Sequence, residues 1–183
     1  MPSAKPNPFI RPEDFWNQIE LRVNQTIVHL GCGAGFYLIP AAKKVGRQGQ
    51  VIGIDVLEDM LEEAEDRAVR AGVTDIIKTI RSNLENIAGS KVKDNIADWT
   101  LVANILYQSD PEKILAEAKR ITKQSGTIIL VEWNVSATPL GPPPDTRIPK
   151  SQVLAIAKKM KLKLLQEFSP SPYHYGLLFT EKQ

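Results

Sequence analysis

A glycine-rich turn followed by an acidic residue is the part of the sequence best suited to binding a ligand. The turn is Gly31-Cys32-Gly33-Ala34-Gly35, and Asp55 stands 20 residues after its last glycine. Glycine permits positive φ and lets a ligand approach the main chain without a Cβ in the way. A carboxylate at that distance can accept hydrogen bonds from ribose hydroxyls. These residues therefore indicate a nucleoside site.

Two strands and a helix must position the turn and the carboxylate. The short apolar runs 26–30 and 51–54 predict buried parallel strands, the second of which ends at Asp55. The helix predicted between them tolerates Pro40 in its first turn. The ordinary alternative is a βαβ crossover with a glycine-rich turn and a surface aspartate.

Two kinds of nucleotide site compete for this pattern. A dinucleotide site has the spacing G-x-G-x-x-G, whose third glycine allows close helix packing beneath a pyrophosphate. Here the spacing is G-x-G-x-G, and Phe36 occupies the place of that third glycine. The spacing resembles motif I of class I S-adenosylmethionine-dependent methyltransferases, whose ligand has no phosphate. An NAD-dependent enzyme is the disfavoured alternative.

Length and composition bound the class of protein. The 183 residues suit one domain with a substantial core, predicted over 1–183. The sequence contains 23 Lys and Arg and 21 Asp and Glu. Because these charges nearly balance, neither wholesale nucleic-acid binding nor membrane-surface binding is indicated. The single cysteine excludes an internal disulfide and, with two histidines, no metal site is expected. No run approaches a membrane span, so we expect a cytoplasmic protein.

The remaining chain alternates strands and helices, as is typical of a doubly wound α/β sheet. The later strands are predicted at 76–81, 98–103 and 127–133, with a closing hairpin at 162–168 and 173–180. Asp110 before Pro111 predicts a helix start, and Ser151 is predicted to cap the last helix. The helix after Asp55 is predicted to bury a stripe that begins at Leu57.

Two segments fall outside that alternation. Residues 1–12 contain four prolines and predict a mobile tail, and 136–149 contain five. Because 34 residues follow the second segment, too few for a typical domain, we interpret it as a stiff wall of the active site rather than a linker. Phe15 and Trp16 lie on a short helix that is predicted before the first strand. These two aromatic side chains either dock the helix to the core or cover the ligand, and docking is favoured.

The succession from 27 to 179 resembles the class I methyltransferase fold, a Rossmann-like sheet of seven strands in the order 3-2-1-4-5-7-6 with the last strand antiparallel. Within that family the chain is similar to small methyltransferases of the ubiquinone/menaquinone-biosynthesis, type 11-like branch, which methylate small molecules. The segments that carry the resemblance are 28–35, 53–55, 103–107, 119–121, 125–127, 141–143 and 173–176.

The resemblance implies S-adenosylmethionine as cofactor and S-adenosylhomocysteine as product. Asp55 would accept from the ribose hydroxyls, and Asn83 stands where the family commonly has an aspartate facing the adenine amino group. Its amide oxygen can still accept that bond without the charge. The implied cofactor-binding residues are Gly31, Cys32, Gly33, Gly35, Asp55, Val56, Met60, Asn83, Leu84, Ala103 and Asn104.

Methyl transfer requires a collinear nucleophile, methyl group and sulfur, and a base only where the nucleophile must lose a proton. His174 is the best candidate base, because an imidazole titrates near ~6.5; the alternative is a strand histidine bonded to backbone. Tyr107, where relatives often carry histidine, is the second candidate catalytic residue. Glu132 ends the fifth predicted strand and either orients a substrate or is solvated.

The leading prediction is therefore a methyltransferase acting on a small, largely apolar molecule. Methylation of protein or RNA is an alternative, and the balanced charge counts against RNA. A second alternative is a methyltransferase-fold subunit that binds the cofactor and serves as a scaffold. The short N-terminal segment predicts a thin lid, which leaves open completion of the site by a homodimer.

Overall fold

The computed structural model describes residues 10–86, 88–136 and 140–181. Most of the predicted tail at 1–12 and part of the predicted wall at 136–149 therefore lie outside the described residues. The strands are β1 Thr26–Leu30, β2 Gln50–Asp55, β3 Ile77–Arg81, β4 Ala97–Ala103, β5 Thr122–Trp133, β6 Lys163–Ser171 and β7 His174–Thr180. The helices are α1 Pro12–Gln18, α2 Leu38–Val45, α3 Glu58–Ala71, α4 Pro111–Ile121 and α5 Lys150–Lys159.

The seven strands form one sheet in the order β3-β2-β1-β4-β5-β7-β6. The pairs from β3 to β5 are parallel, and β7 runs antiparallel to both β5 and β6. This confirms the predicted fold class, including its antiparallel last strand. The strand order reverses between β1 and β4, so the ligand crevice of such a sheet is expected at their carboxyl ends.

Alternate residues of the central strands face two apolar layers. Val28 packs with residues of α4 and α5, including Ile114, whereas its neighbour Ile27 packs with residues of α1, α2 and α3, including Leu38. Strands buried on both faces must be apolar at nearly every position, which explains the continuous apolar runs in the sequence. Among the described residues, no helix is long and apolar enough to cross a membrane.

The aromatic pair on α1 docks that helix to the core, as predicted. Phe15 and Trp16 are each 1% exposed, and Trp16 Nε1 donates to the carbonyl oxygen of Tyr37 at 2.9 Å. The indole N–H and the buried ring surface together fix α1 against the start of α2. Both side chains are thus part of the core.

Helix ends agree with the sequence at α4 and differ at α3 and α5. Asp110 caps α4 and accepts from the N–H groups of Glu112 at 3.0 Å and Lys113 at 3.3 Å, as predicted. The predicted cap at Ser151 is wrong, because α5 begins at Lys150 and Ser151 lies inside its first turn. The buried stripe of α3 does not include Leu57, which precedes the helix and is 59% exposed.

Strand β5 starts earlier than its apolar pattern indicates. It follows α4 directly at Thr122, and its pairing with β4 shifts register between the pairs Ala97–Thr122 and Trp99–Thr127. The intervening residues are accommodated as an irregularity within the strand, whereas the sequence predicted that the strand begins at Thr127. Beyond it, β5 runs to Trp133 at the edge of the sheet where β1 and β4 also end.

Candidate functional site

A cavity of about 520 Å³ opens at the carboxyl ends of β1, β2 and β4. This volume lies within the range of ~300–1,000 Å³ that is usual for small-molecule sites. The predicted cofactor residues that line it are Gly31, Gly33, Asp55, Val56, Met60, Asn83, Leu84 and Asn104. Its other lining residues are Leu57, Ser82, Glu85, Ile105, Gln108, Ser109 and Ile114. Cys32, Gly35 and Ala103 are not in its lining.

The glycine turn folds back over the end of β2. The N–H groups of Gly31 and Cys32 both donate to the carbonyl oxygen of Ile54 at 2.9 Å. Gly31 has φ +72°, and a Cβ there would overlap the side chain of Ile105. Gly33 has φ +50°, and a Cβ there would meet nothing within 4 Å. The backbone at Gly33 is therefore open to a ligand in the cavity.

Cys32 and Gly35 serve packing beneath the turn. A Cβ on Gly35 would lie 2.7 Å from the Cβ of Ala64, so this glycine brings α3 close to the turn. The Cys32 thiol is buried beside Gly53, and burial, with the charge of Asp55 adding to it, raises the pKa of the thiol to about 12. A thiol with that pKa is neutral and a poor nucleophile at physiological pH.

The Asp55 carboxylate is held by two backbone donors. Its Oδ2 accepts from the N–H of Gly33 at 2.8 Å, and its Oδ1 accepts from the N–H of Leu57 at 3.0 Å. Each carboxylate oxygen can accept more than one hydrogen bond. Asp55 is therefore fixed at the cavity wall and keeps acceptor capacity for a ligand hydroxyl.

The segment after β3 forms another wall of the cavity. Asn83 Oδ1 accepts from the N–H of Glu85 at 2.9 Å, and the N–H of Ser82 donates to the carbonyl oxygen of Asp55 at 2.9 Å. An adenine amino group that reached Asn83 would share its oxygen with that local turn. Leu84 is buried, whereas Val56 is 54% exposed at the mouth.

Asn104 brings a buried acceptor to the cavity. It directly follows β4 in the left-handed region, with φ +54°, and its N–H donates to the carbonyl oxygen of Val131 at 2.9 Å. Its Oδ1 is buried and has no hydrogen-bond partner among the described residues. A buried acceptor without a partner is costly, so a turn of this side chain that brings Oδ1 to a ligand N–H or O–H donor would be favourable.

Glu132 is neither solvated nor free to orient a substrate. It is 1% exposed, and its Oε1 accepts from the N–H groups of Ile105 at 2.8 Å and Leu106 at 2.7 Å. Burial raises the pKa of Glu132 to about 7, against the effect of those hydrogen bonds. In the sequence, Glu132 stands out only as a carboxylate at the end of an apolar strand. Nothing in the sequence indicates which backbone groups it bonds.

The charge of the cavity suits a cation better than a phosphate. Asp55 and Glu85 lie in its described lining, which contains no Lys or Arg. Two carboxylates would repel a pyrophosphate, whereas they attract an ammonium or sulfonium group. This agrees with the glycine spacing in disfavouring a dinucleotide.

The two predicted catalytic residues are not brought into this cavity. His174 is 2% exposed, and its ring centroid lies 4.0 Å from that of Trp133. Its Nδ1 is 2.7 Å from Ser171 Oγ, and its Nε2 has no partner among the described residues. Burial and the charge of Arg147 lower the pKa of His174 to about 4. Tyr107 is partly exposed in the short 3₁₀ turn after β4.

Within 10–86, 88–136 and 140–181, no group of three or more His, Cys, Asp or Glu side chains is placed to hold a metal ion.

The sequence of this chain is similar to those of known methyltransferases. The methyltransferase domain family matches residues 21–166. A demethylmenaquinone methyltransferase of Lactiplantibacillus plantarum is 28% identical over 124 residues, which cover 67% of this chain and 51% of that protein. An aklanonic acid methyltransferase of Streptomyces sp. (strain C5) is 46% identical over 52 residues, which cover 28% of this chain and 24% of that protein. The chain thus spans about half or less of the length of these curated relatives.

Among solved structures, a SAM-dependent methyltransferase from Aquifex aeolicus superposes with a TM-score of 0.83 and 27% identity. The superposition covers 93% of this chain and 89% of that one. A putative type 11 methyltransferase from Sulfolobus solfataricus gives a TM-score of 0.75 with 27% identity over 94% of this chain and 93% of that one. Both superpositions support the Rossmann-like methyltransferase fold of this chain.

Proposed function

This chain belongs to the methyltransferase domain family, and on that premise we propose that it transfers the methyl group of S-adenosylmethionine to a small-molecule acceptor. The observation that carries the proposal is the Asp55 carboxylate, which lines the cavity while two backbone N–H groups hold it in place. A fixed carboxylate beside open glycine backbone is an arrangement that recognises ribose hydroxyls.

We propose a partner in the cavity for each end of this ligand. Asp55 would accept from the ribose hydroxyls, and the unpaired Asn104 Oδ1 would accept from the ammonium of the methionine part. Val56 and Met60 would flank the adenine, and Asn83 would accept from its amino group. When bound, the cofactor supplies a methyl group on a sulfonium that is already activated. The chain's contribution is to orient the reactants and exclude water.

A base is needed only for acceptors that must lose a proton. We propose His174 as that base and Tyr107 as the second catalytic candidate, as the sequence predicts. The neutral imidazole with an unpaired Nε2 supports proton acceptance, whereas its lowered pKa limits its strength. If His174 is the base, His174→Gln lowers the turnover number by about 10²–10⁴-fold. A turnover number equal to that of the wild type rejects the assignment.

The acceptor that we propose is small and largely apolar. The names of the relatives, demethylmenaquinone methyltransferase and aklanonic acid methyltransferase, support this class. The test incubates the protein with methyl-labelled S-adenosylmethionine and, separately, quinone precursors, aromatic polyketide acids, mixed protein and RNA. We expect label in one of the small-molecule fractions and loss of that signal in Asp55→Ala. Label in protein or RNA alone would favour those alternatives.

The second candidate is a cofactor-binding subunit without its own catalysis. The position of His174 and Tyr107 outside the cavity lining favours it. Such a subunit binds S-adenosylhomocysteine but methylates no acceptor until a partner chain is added.

We further propose one domain over 1–183, a cytoplasmic location and no nucleic-acid partner. The single seven-stranded sheet, the lone buried cysteine and the balanced charge support these points. Light scattering on the purified protein tests whether it forms a homodimer: a mass near twice 20.4 kDa supports the homodimer, and a mass near 20.4 kDa rejects it.

A further inference from the structure

A buried carboxylate anchors the turn that follows β4. A single oxygen of Glu132, at the end of β5, accepts from the N–H groups of Ile105 and Leu106 at 2.8 Å and 2.7 Å. Hydrogen bonds to an ionised acceptor are about twice as strong as those between neutral groups. Because these two residues are consecutive, the bonds fix the direction in which the chain leaves β4.

The anchored turn is part of the cavity wall. Four of its residues, Asn104, Ile105, Gln108 and Ser109, line the cavity. Ile105 lies so close to Gly31 that a Cβ on the glycine would overlap it. A shift of Ile105 would therefore change the turn after β4 and its contact with the glycine turn together.

We propose that Glu132 is a positioning residue that holds the turn 104–109 in shape for the S-adenosyl ligand and makes the affinity for that ligand rise with pH. The inference rests on the proposed function and deepens it, because it names a regulatory property of the same cavity. Glu132 acts through the backbone of Ile105 and Leu106 and does not itself line the cavity.

The surroundings of Glu132 put its titration near neutral pH. Burial raises its pKa to about 7, and among the described residues no charged side chain contributes to the shift. Tyr175 on β7 is its partner in the strand register, and burial, with the charge of Glu132 adding to it, raises the pKa of that phenol. Tyr107 is the titratable side chain of the turn itself. The ionised carboxylate holds the two N–H groups more firmly than the protonated one, so the turn is best ordered above about pH 7.

The test measures binding of S-adenosylhomocysteine by calorimetry from about pH 5.5 to about pH 8.5. Glu132→Gln retains the shape and one acceptor oxygen but removes the ionisation. The matched control is Glu117→Gln, since Glu117 is also buried and accepts from a backbone N–H, that of Ser90 at 2.9 Å, but does not line the cavity.

For the wild type and Glu117→Gln we expect the dissociation constant to fall about fivefold or more as the pH rises through about 7. Glu132→Gln should lack this step and keep a constant close to the wild-type value at low pH. Glu132→Ala should bind more weakly at every pH. If Glu132→Gln shows the wild-type step, or if Glu117→Gln loses it, the inference is wrong.

A second readout needs no ligand. In two-dimensional NMR spectra of the free protein, the amide signals of Ile105 and Leu106 should titrate together with a midpoint near pH 7, and should not titrate in Glu132→Gln. If the amides titrate but the wild type does not bind S-adenosylhomocysteine at any pH, the proposed function fails and the coupling to affinity falls with it. If the ligand binds while the amides do not titrate, the inference alone fails.

Discussion

At the scale of single residues, Gly33 and Gly35 show how two glycines of one motif do different work. Both have positive φ, at +50° and +77°. A Cβ on Gly33 would enter open space at the cavity, whereas one on Gly35 would strike Ala64. The sequence predicted both as cofactor residues, because the spacing of glycines does not tell which side of the backbone is occupied.

Alanine substitutions at the two positions should therefore have different effects. Gly33→Ala should cost about 1–2 kcal/mol of unfolding free energy, from left-handed strain alone, while weakening S-adenosylhomocysteine binding about tenfold or more. Gly35→Ala should cost a further ~1–3 kcal/mol from overpacking against α3. Urea denaturation and calorimetry measure the two effects. Unchanged affinity in Gly33→Ala would contradict the role given to its backbone.

Asp55 is the residue whose charge the account depends on most. Asp55→Asn keeps the size of the side chain but replaces one acceptor oxygen with a donor. Because hydrogen bonds to a charged group contribute ~1.5–3 kcal/mol, we expect S-adenosylhomocysteine affinity to fall about 10–100-fold. Asp98→Asn is the control, since Asp98 also accepts from a backbone N–H, that of Thr26 at 2.8 Å, but does not line the cavity. Equal losses in both variants would mean that Asp55 only braces the fold.

At the scale of elements, Arg147 organises the proline-rich segment after β5. It is 4% exposed, and its guanidinium donates to the carbonyl oxygens of Asn134 and Ser136 at 2.9 Å, Leu140 at 2.7 Å and Pro142 at 2.9 Å. These acceptors lie on both sides of residues 137–139. The sequence predicted a stiff wall from the prolines but gave no sign that a buried arginine joins its two ends.

Arg147→Lys should therefore destabilise the protein although the charge is kept. An ammonium has three donors on a flexible stem and cannot reproduce the planar fork, so at least one of the four carbonyls loses its bond and the others are held less well. We expect a loss of about 2–4 kcal/mol in urea denaturation, with faster hydrogen exchange in 140–147. Arg70→Lys, on the exposed side of α3, is the control and should change stability by less than about 0.5 kcal/mol. A similarly small change in stability for Arg147→Lys would contradict the role given to the four hydrogen bonds of Arg147.

Features that depend on neighbouring residues could be predicted from the sequence, and those that depend on distant residues could not. Asp110 before Pro111 gave the start of α4 correctly, because a cap acts within three residues. Ser151 failed as a cap because the helix already begins at Lys150, directly after Pro149. A serine inside the first turn no longer precedes the free N–H groups. The bonds of Glu132 join residues 26 and 27 positions apart on different elements, and no local pattern encodes them.

At the scale of the whole molecule, buried titratable groups outside the cavity set how stability depends on pH. His29 is 3% exposed on β1, neither ring nitrogen has a partner among the described residues, and burial lowers its pKa to about 3. Its neutral form is favoured on folding, so the stability linked to it is full above about pH 6.5 and is lost as the pH falls towards 3. The raised pKa of Glu132 acts the other way, with its contribution lost as the pH rises from about 4.5 to 7.

His29→Leu should remove one part of this acid sensitivity. One group that takes up a proton only on unfolding contributes a slope of up to ~1.4 kcal/mol per pH unit between about pH 4 and pH 6. Urea denaturation at several pH values should show the slope reduced by about that amount in His29→Leu. The apolar side chain also removes an unpaired buried polar group, so stability at pH 7 should not fall by more than ~1 kcal/mol. An unchanged slope would show that His29 gains no proton on unfolding.

The central claim is that the cavity at the carboxyl ends of β1, β2 and β4 binds an S-adenosyl ligand. Calorimetric titration of the wild-type protein with S-adenosylhomocysteine, with NAD in a parallel titration, tests it most directly. The account predicts micromolar binding of S-adenosylhomocysteine and no binding of NAD, because two carboxylates and no cation line the described cavity wall. Binding of NAD with no binding of S-adenosylhomocysteine would contradict it.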